Sequence, residues 1–167
     1  PQVPKRMRRI EVRPGQLTQA LKKAQPGDLL LLHAGVYAGP VEIPSGTPGS
    51  PIALVGAGDG PAVLDGQGGR RVIACPGLHD VFLEDLTVRG ATWGIAVNGG
   101  ARVTIRRCVI EDIDYGITAT NHSEKQQDFF IADNVIRGRS TWPRTRGIEN
   151  RRGIQVSGEG HAICYNR

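Results

Sequence analysis

The sequence predicts an all-β protein: a right-handed parallel β-helix of about 22 residues per coil, with a short capping helix at its N-terminal end. Three observations carry this reading: a turn-and-strand pattern that repeats along the chain, an aliphatic and turn-rich composition, and one short helix-period stretch ahead of the repeats. Of 167 residues, 23 are glycine and 11 proline, while aromatic residues make up only 5%. The core is therefore aliphatic, and the chain turns too often for a helical bundle. The length suits a single domain over residues 1–167.

The elements follow in chain order. Leu17, Ala20, Leu21 and Ala24 fall at i, i+3, i+4 and i+7 and give a helix near residues 16–24 one apolar face. Pro26-Gly27 stops it, and Lys22 and Lys23 suit the negative end of its dipole. The open end of a solenoid needs a cover, which this helix is placed to supply. Leu30 and Leu32 lie 22 residues before Ile52 and Leu54, which carries the period back to the first coil. Gly56-Ala57-Gly58-Asp59-Gly60 has the composition of a phosphate loop, but a strand and turn follow instead of a helix, so it reads as a turn.

The regular part begins at about residue 70. Trp93-Gly94-Ile95-Ala96-Val97 and Tyr115-Gly116-Ile117-Thr118-Ala119 share one pattern at a spacing of 22, and Arg152-Gly153-Ile154-Gln155-Val156 repeats it 37 residues on. A second pattern follows each, at Val81–Val88, Val103–Ile110, Phe129–Ile136 and His161–Asn166. Short alternating strands separated by turns stack coil on coil at ~4.8 Å, so equivalent residues pile into ladders. The expected inward ladders are Ile73, Ile95, Ile117, Ile154; Cys75, Val97, Ala119, Val156; and Leu83, Ile105, Ile131, Ile163. Gly94, Gly116 and Gly153 are expected in tight turns at positive φ, where glycine is cheapest. Asn134 and Asn166 replace Leu86 and Cys108 and are expected to point inward and bind turn backbone. His161 shares a ladder place with Val81, Val103 and Phe129 and reads as an inward or end-of-strand histidine rather than a ligand. Ala74, Ala96, Thr118 and Gln155 face outward as a flat, uncharged strip.

Basic side chains outnumber acidic ones 21 to 16, for a net charge of +5, and only Lys5, Lys22, Lys23 and Lys125 are lysines. Arginine's planar fork suits carboxylates, sulfates and phosphates. No helix-turn-helix or RNA-binding signature accompanies the charge, which argues against nucleic acid as partner. No apolar run is long enough for a membrane span. Three cysteines without CxxC spacing indicate neither a disulfide framework nor a zinc knuckle. Cys75 and Cys108 are expected inward and unpaired, and Cys164 outward and reactive. Pro1–Arg9 lack an initiator Met and an apolar signal core, which fits a trimmed N-terminus.

Leu17 to Tyr37 (LTQALKKAQPGDLLLLHAGVY), Ser45-Gly46-Thr47-Pro48-Gly49-Ser50-Pro51-Ile52 and Leu64-Asp65-Gly66 resemble the N-terminal segment of right-handed parallel β-helix polysaccharide lyases. The similar groups are of the chondroitinase B and alginate lyase type and, more loosely, pectate lyases and mannuronan epimerases. The resemblance covers roughly residues 16–97. It implies the fold, an acidic polysaccharide as partner, cleavage by β-elimination or C5 epimerisation, a secreted or periplasmic location, and catalytic residues on later coils. After Asn166-Arg167 a further strand is due, so the chain is expected to be the N-terminal part of a longer solenoid.

Two departures from the period are candidate functional loops. Residues 121–128 carry His122, Glu124 and Lys125; residues 137–152 carry Arg137, Arg139, Arg144, Arg146, Arg151 and Arg152 with Trp142 and Glu149. Elimination from a uronic acid needs a cation at the carboxylate, a base for the C5 proton and an acid for the leaving oxygen. Lys125 or His122 is the candidate base, Tyr115 the acid, and Arg151 or Arg152 the carboxylate clamp, with Arg144, Arg146 and Trp142 as further substrate contacts. Ca²⁺ is the one metal considered, with Asp112 and Asp114 as candidate ligands, although two acids do not fill a site of six to eight oxygens. The alternative is a non-catalytic β-helix that binds glycan or serves as a structural module.

Overall fold

The computed structural model describes residues 1–120, 126–139 and 151–167. Its strands are β1 (Arg8–Val12), β2 (Asp28–Leu32), β3 (Gly35–Ala38), β4 (Ile52–Gly56), β5 (Ala62–Glu84), β6 (Leu86–Arg106), β7 (Val109–Ala119), β8 (Gln126–Gln127), β9 (Phe130–Ala132), β10 (Val135–Gly138), β11 (Arg152–Val156) and β12 (Ala162–Cys164), with one helix, α1 (Leu17–Lys23). All pairings between these strands are parallel, and they form a β-solenoid of about five turns. The long β5, β6 and β7 bend through corners and so contribute to more than one face of the coil. No helix among the described residues is long and apolar enough to cross a membrane.

The three inward ladders form as the repeat predicts: Ile73–Ile95–Ile117–Ile154, Cys75–Val97–Ala119–Val156 and Leu83–Ile105–Ile131–Ile163. The last continues backward through Leu54 and Leu30 to Ile10. Leu30 therefore pairs with Leu54 and Leu32 with Gly56, two residues away from the partners that a strict 22-residue count assigns. Along this ladder successive rungs are 20, 24, 29, 22, 26 and 32 residues apart. Turns absorb the variation, and a two-residue slip leaves every side chain on its proper face. β1, whose Ile10 and Val12 are too few to stand out as a pattern, adds a rung before β2. The helix places Leu17 and Leu21 in the core, with Ala20 and Ala24 packed beside them, as its periodicity indicates.

Gly94, Gly116 and Gly153 are not at positive φ, contrary to expectation. They lie within strands, and the first two sit where neighbouring coils approach closely: a Cβ on Gly94 would come 2.7 Å from the Gly116 carbonyl oxygen, and one on Gly116 would strike the Gly153 carbonyl, whereas one on Gly153 would meet only Ile136 at 3.9 Å. The left-handed corners are elsewhere and are stacked. Asp80, Arg102 and Asp128 share one corner, and Asp85, Arg107, Asp133 and Tyr165 another, all with φ between 52° and 57°. Aspartate tolerates this region, whereas a non-glycine residue without such help costs about 1–3 kcal/mol there. Each arginine forks onto the aspartate of the preceding coil: Arg102 on Asp80 at 2.7 and 2.8 Å, and Arg107 on Asp85 at 2.8 Å through both nitrogens. Alternating charge thus holds together a stack that like charges would split.

Inside another corner, Asn134 Oδ1 accepts from the Cys108 N–H at 2.9 Å and its amide donates to the Ile105 carbonyl at 3.0 Å. Asn166 repeats the arrangement one coil on, accepting from the Asn134 N–H and donating to the Ile131 carbonyl. Both asparagines fill the role expected of them. His161 stands immediately before β12, accepting from the Phe129 N–H at 3.1 Å. The glycine-rich run ends β4 at Gly56 and turns over 57–60, where Asp59 accepts the Ala34 N–H.

Asp59 also takes part in a clamp across three coils. His33 Nδ1 lies 2.7 Å from Asp59 and Nε2 2.7 Å from Glu11, so both ring nitrogens meet carboxylates. The Asp59 and Glu11 hydrogen bonds raise the His33 pKa above its usual range, against smaller opposing effects of desolvation and then of Arg13. Protonation of His33 therefore stabilises the fold fully below its unfolded value of about 6.5, and that contribution disappears as pH rises through the elevated folded value. Denaturant unfolding across this window should show stability falling with rising pH, and His33→Asn should flatten the fall. Burial pushes the Cys108 thiol up to about 12 and raises Cys75 as well, while Cys164 is partly exposed. A bulky maleimide should accordingly label Cys164 alone in the native 167-residue chain, and fast labelling of Cys75 would contradict the register.

Candidate functional site

One outer face of the solenoid is built from Arg71–Pro76, Trp93–Asn98, Tyr115–Thr120 and β11. Register aligns Arg71, Trp93, Tyr115 and Arg152 as one outward row, and Ala74, Ala96, Thr118 and Gln155 as the next. The second row is the flat strip expected from the sequence. Asn98 and Thr120 stand on its far side. Together these residues, Ala74 apart, line a groove of about 290 Å³. With rungs ~4.8 Å apart, Arg71 and Arg152 stand three steps, or ~14 Å, from one another.

The first row forms a rail along the groove. Trp93 and Tyr115 stack with ring centroids 4.9 Å apart and planes 12° from parallel. In-register stacking brings aromatic rings on adjacent rungs to nearly their ideal separation. The guanidinium carbons of Arg70 and Arg71 lie 5.4 and 5.9 Å from the centre of the Trp93 ring, within cation–π range. Arg71 Nε is buried without a hydrogen-bond partner among the described residues. Cations thus flank an aromatic platform at both ends. This arrangement suits a ligand with carboxylates or sulfates along one edge and apolar ring faces for stacking.

Tyr115 and Arg152, both candidates from sequence, line this groove. Arg151 does not: its Nε is 3.1 Å from Asp114 Oδ1, an ion pair that holds it outside the groove lining. His122, Lys125, Trp142, Arg144 and Arg146 lie outside the described residues. Sequence reasoning missed Arg70, Arg71, Trp93 and Asn98. The signal was nevertheless there, in the residue preceding each repeated glycine: Trp93, Tyr115 and Arg152 are all large, and Arg71 holds the same place one coil earlier.

Asp112 and Asp114 do not make a calcium site. Asp114 is almost fully buried against two arginines, Arg139 and Arg151, while Asp112 is exposed on a left-handed turn. Among the described residues no group of three potential ligands converges to hold a metal ion. A second hollow of about 550 Å³ is lined by Asp65, Arg89, Glu111, Asp112 and Arg137. There Arg89 pairs with Asp65 at 2.9 Å and Arg137 with Glu111 at 3.4 Å, so both of its guanidinium groups are already matched by carboxylates. A third hollow of about 460 Å³, between α1 and Val41–Pro44, is walled mainly by aliphatic side chains. Chemistry, not volume, singles out the rail.

The solved structures similar to this chain are β-helix polysaccharide lyases. An alginate lyase from Paenibacillus sp. str. FPU-7 has a TM-score of 0.68 and 30% sequence identity, over 77% of this chain and 44% of the lyase. Pectate lyase Pel9A has a TM-score of 0.66 and 18% identity, over 94% of this chain and 47% of the lyase, a likeness of fold. The chain spans about half the length of each. No family model and no curated protein matches the sequence.

The rail separates two roles of Tyr115. Stacked pairs contribute about 0.5–1.5 kcal/mol beyond burial. Urea unfolding should therefore show Tyr115→Leu less stable by about 1 kcal/mol and Tyr115→Phe close to unchanged. Any function lost in Tyr115→Phe then belongs to the phenol hydroxyl.

Proposed function

We propose that the chain is a carbohydrate-active β-helix that binds an acidic polysaccharide in the groove beside the Arg71–Trp93–Tyr115–Arg152 rail. That rail is the observation that carries the reading: guanidinium groups meet carboxylates, and the Trp93–Tyr115 platform meets the apolar faces of sugar rings. The similarity to an alginate lyase supports the substrate class. A substrate of this kind makes the protein secreted or periplasmic.

The chemistry is abstraction of the C5 proton of a uronate residue, leading to β-elimination in a lyase or reprotonation from the other face in a C5-epimerase. Arg152 neutralises the substrate carboxylate, which acidifies that proton. Tyr115 delivers a proton to the leaving oxygen or the opposite face. Lys125 or His122 supplies the base; both follow Thr120, at the groove edge, within the next few residues of the chain. Trp142, Arg144 and Arg146 extend contact to neighbouring sugars. A second reading, a non-catalytic glycan-binding module, draws on the described lining of the groove, which holds no carboxylate, imidazole or amine.

Calorimetric titration with oligomers of alginate, chondroitin and pectate tests the binding. Affinity should fall as salt rises, and Arg152→Ala or Trp93→Ala should weaken it about tenfold. Absence of binding, or binding indifferent to salt, would sink the reading. Ultraviolet absorbance of the unsaturated product separates the activities. A rise that Lys125→Ala or His122→Ala abolishes identifies a lyase, exchange of the C5 proton without that rise identifies an epimerase, and neither leaves a binding module.

A further inference from the structure

Asp114 stands at the corner beside the rail, immediately before Tyr115 and level with Arg151 of the adjoining coil. Its side chain is only 4% exposed. Oδ1 lies 3.1 Å from Arg151 Nε and 3.4 Å from Arg139 Nε. Those two arginines flank residues 140–150 in the chain, so one carboxylate ties together the described ends of the arginine-rich insertion. Among the described residues the charges do not balance, because a single carboxylate faces two guanidinium groups whose side chains remain 29% and 20% exposed. The hydrogen bonding is incomplete too: Asp114 Oδ1 and both Nε atoms are buried in ionic contact without a well-directed hydrogen bond among the described residues. Buried polar atoms left in this state call for an explanation.

We propose that Asp114 is the positioning residue of the groove: it grips Arg139 and Arg151, fixes both ends of the insertion, and holds a net positive charge beside Tyr115 and Arg152 where a second carboxylate of the bound chain docks. The proposal rests on the acidic-polysaccharide reading and adds a site to it. Its sign sets it apart from simple charge attraction. Asp114→Asn makes this surface more positive, which by long-range electrostatics alone strengthens binding of a polyanion. Loss of the grip acts the other way, because two unheld arginines must be ordered by the ligand.

The 167-residue chain and its Asp114→Asn and Asp112→Asn variants are titrated with the same oligouronates. Asp112→Asn makes an equal change in charge on an exposed turn that asparagine also fits, without touching the arginine pair. Asp114→Asn should weaken binding about tenfold, whereas Asp112→Asn should leave it unchanged or slightly tighter, and Asp114→Glu should recover part of the loss. Amide hydrogen exchange over residues 136–139 and 151–154 provides a ligand-free measure. It should quicken in Asp114→Asn and stay as it was in Asp112→Asn. Binding by Asp114→Asn as tight as by Asp112→Asn would overturn the proposal, as would unchanged exchange. If the unaltered chain binds no oligouronate, the functional reading fails and the docking role with it, while the exchange measurement still decides whether Asp114 anchors the insertion.

Discussion

Parallel strands stacked in register place each residue ~4.8 Å from its counterpart on the next coil, and this protein is organised by that repetition of like beside like. Indoors the constraint is favourable, since isoleucine on isoleucine or leucine on leucine fills a uniform core without gaps. At polar positions it is hazardous, because identical charges would face one another along the whole axis. The chain resolves this by alternation. Asp80 and Arg102, Asp85 and Arg107, Asp65 and Arg89, and Glu111 and Arg137 each place opposite signs on adjoining coils.

The same geometry gives the buried asparagines and the outer aromatics their distinct places. An amide carries both a donor and an acceptor, so Asn134 and Asn166 serve neighbouring turns and join to one another at 2.9 Å. An aromatic ring offers a face to its neighbour at nearly the rung spacing, hence the Trp93–Tyr115 stack. The groove is thus what in-register stacking produces when the outward residues are aromatic and the rungs beyond them end in arginine.

Much of the fold was legible in the sequence because the ladders impose a repeat on aliphatic residues. Ile95, Ile117 and Ile154 stand out at once. The early coils were harder to read, since turns of unequal length obscure the register, as the pairing of Leu30 with Leu54 illustrates. The glycines misled for a related reason: a backbone approach and a left-handed turn both demand glycine, and sequence does not distinguish them. At the candidate site, Tyr115 and Arg152 were visible as members of a repeat or a charged loop. Arg151 next to Arg152 was not separable from it, because only the coil that follows Asp114 decides which guanidinium is occupied by a carboxylate.

A surface assembled from equal steps is also graduated. Each coil sets one mark on the groove, so the length of polymer recognised is counted in coils, and gain or loss of a single repeat changes the reach by one mark while leaving the other marks in place. Specificity for chain length can then change by duplication or deletion of one coil, separately from the chemistry at any particular mark.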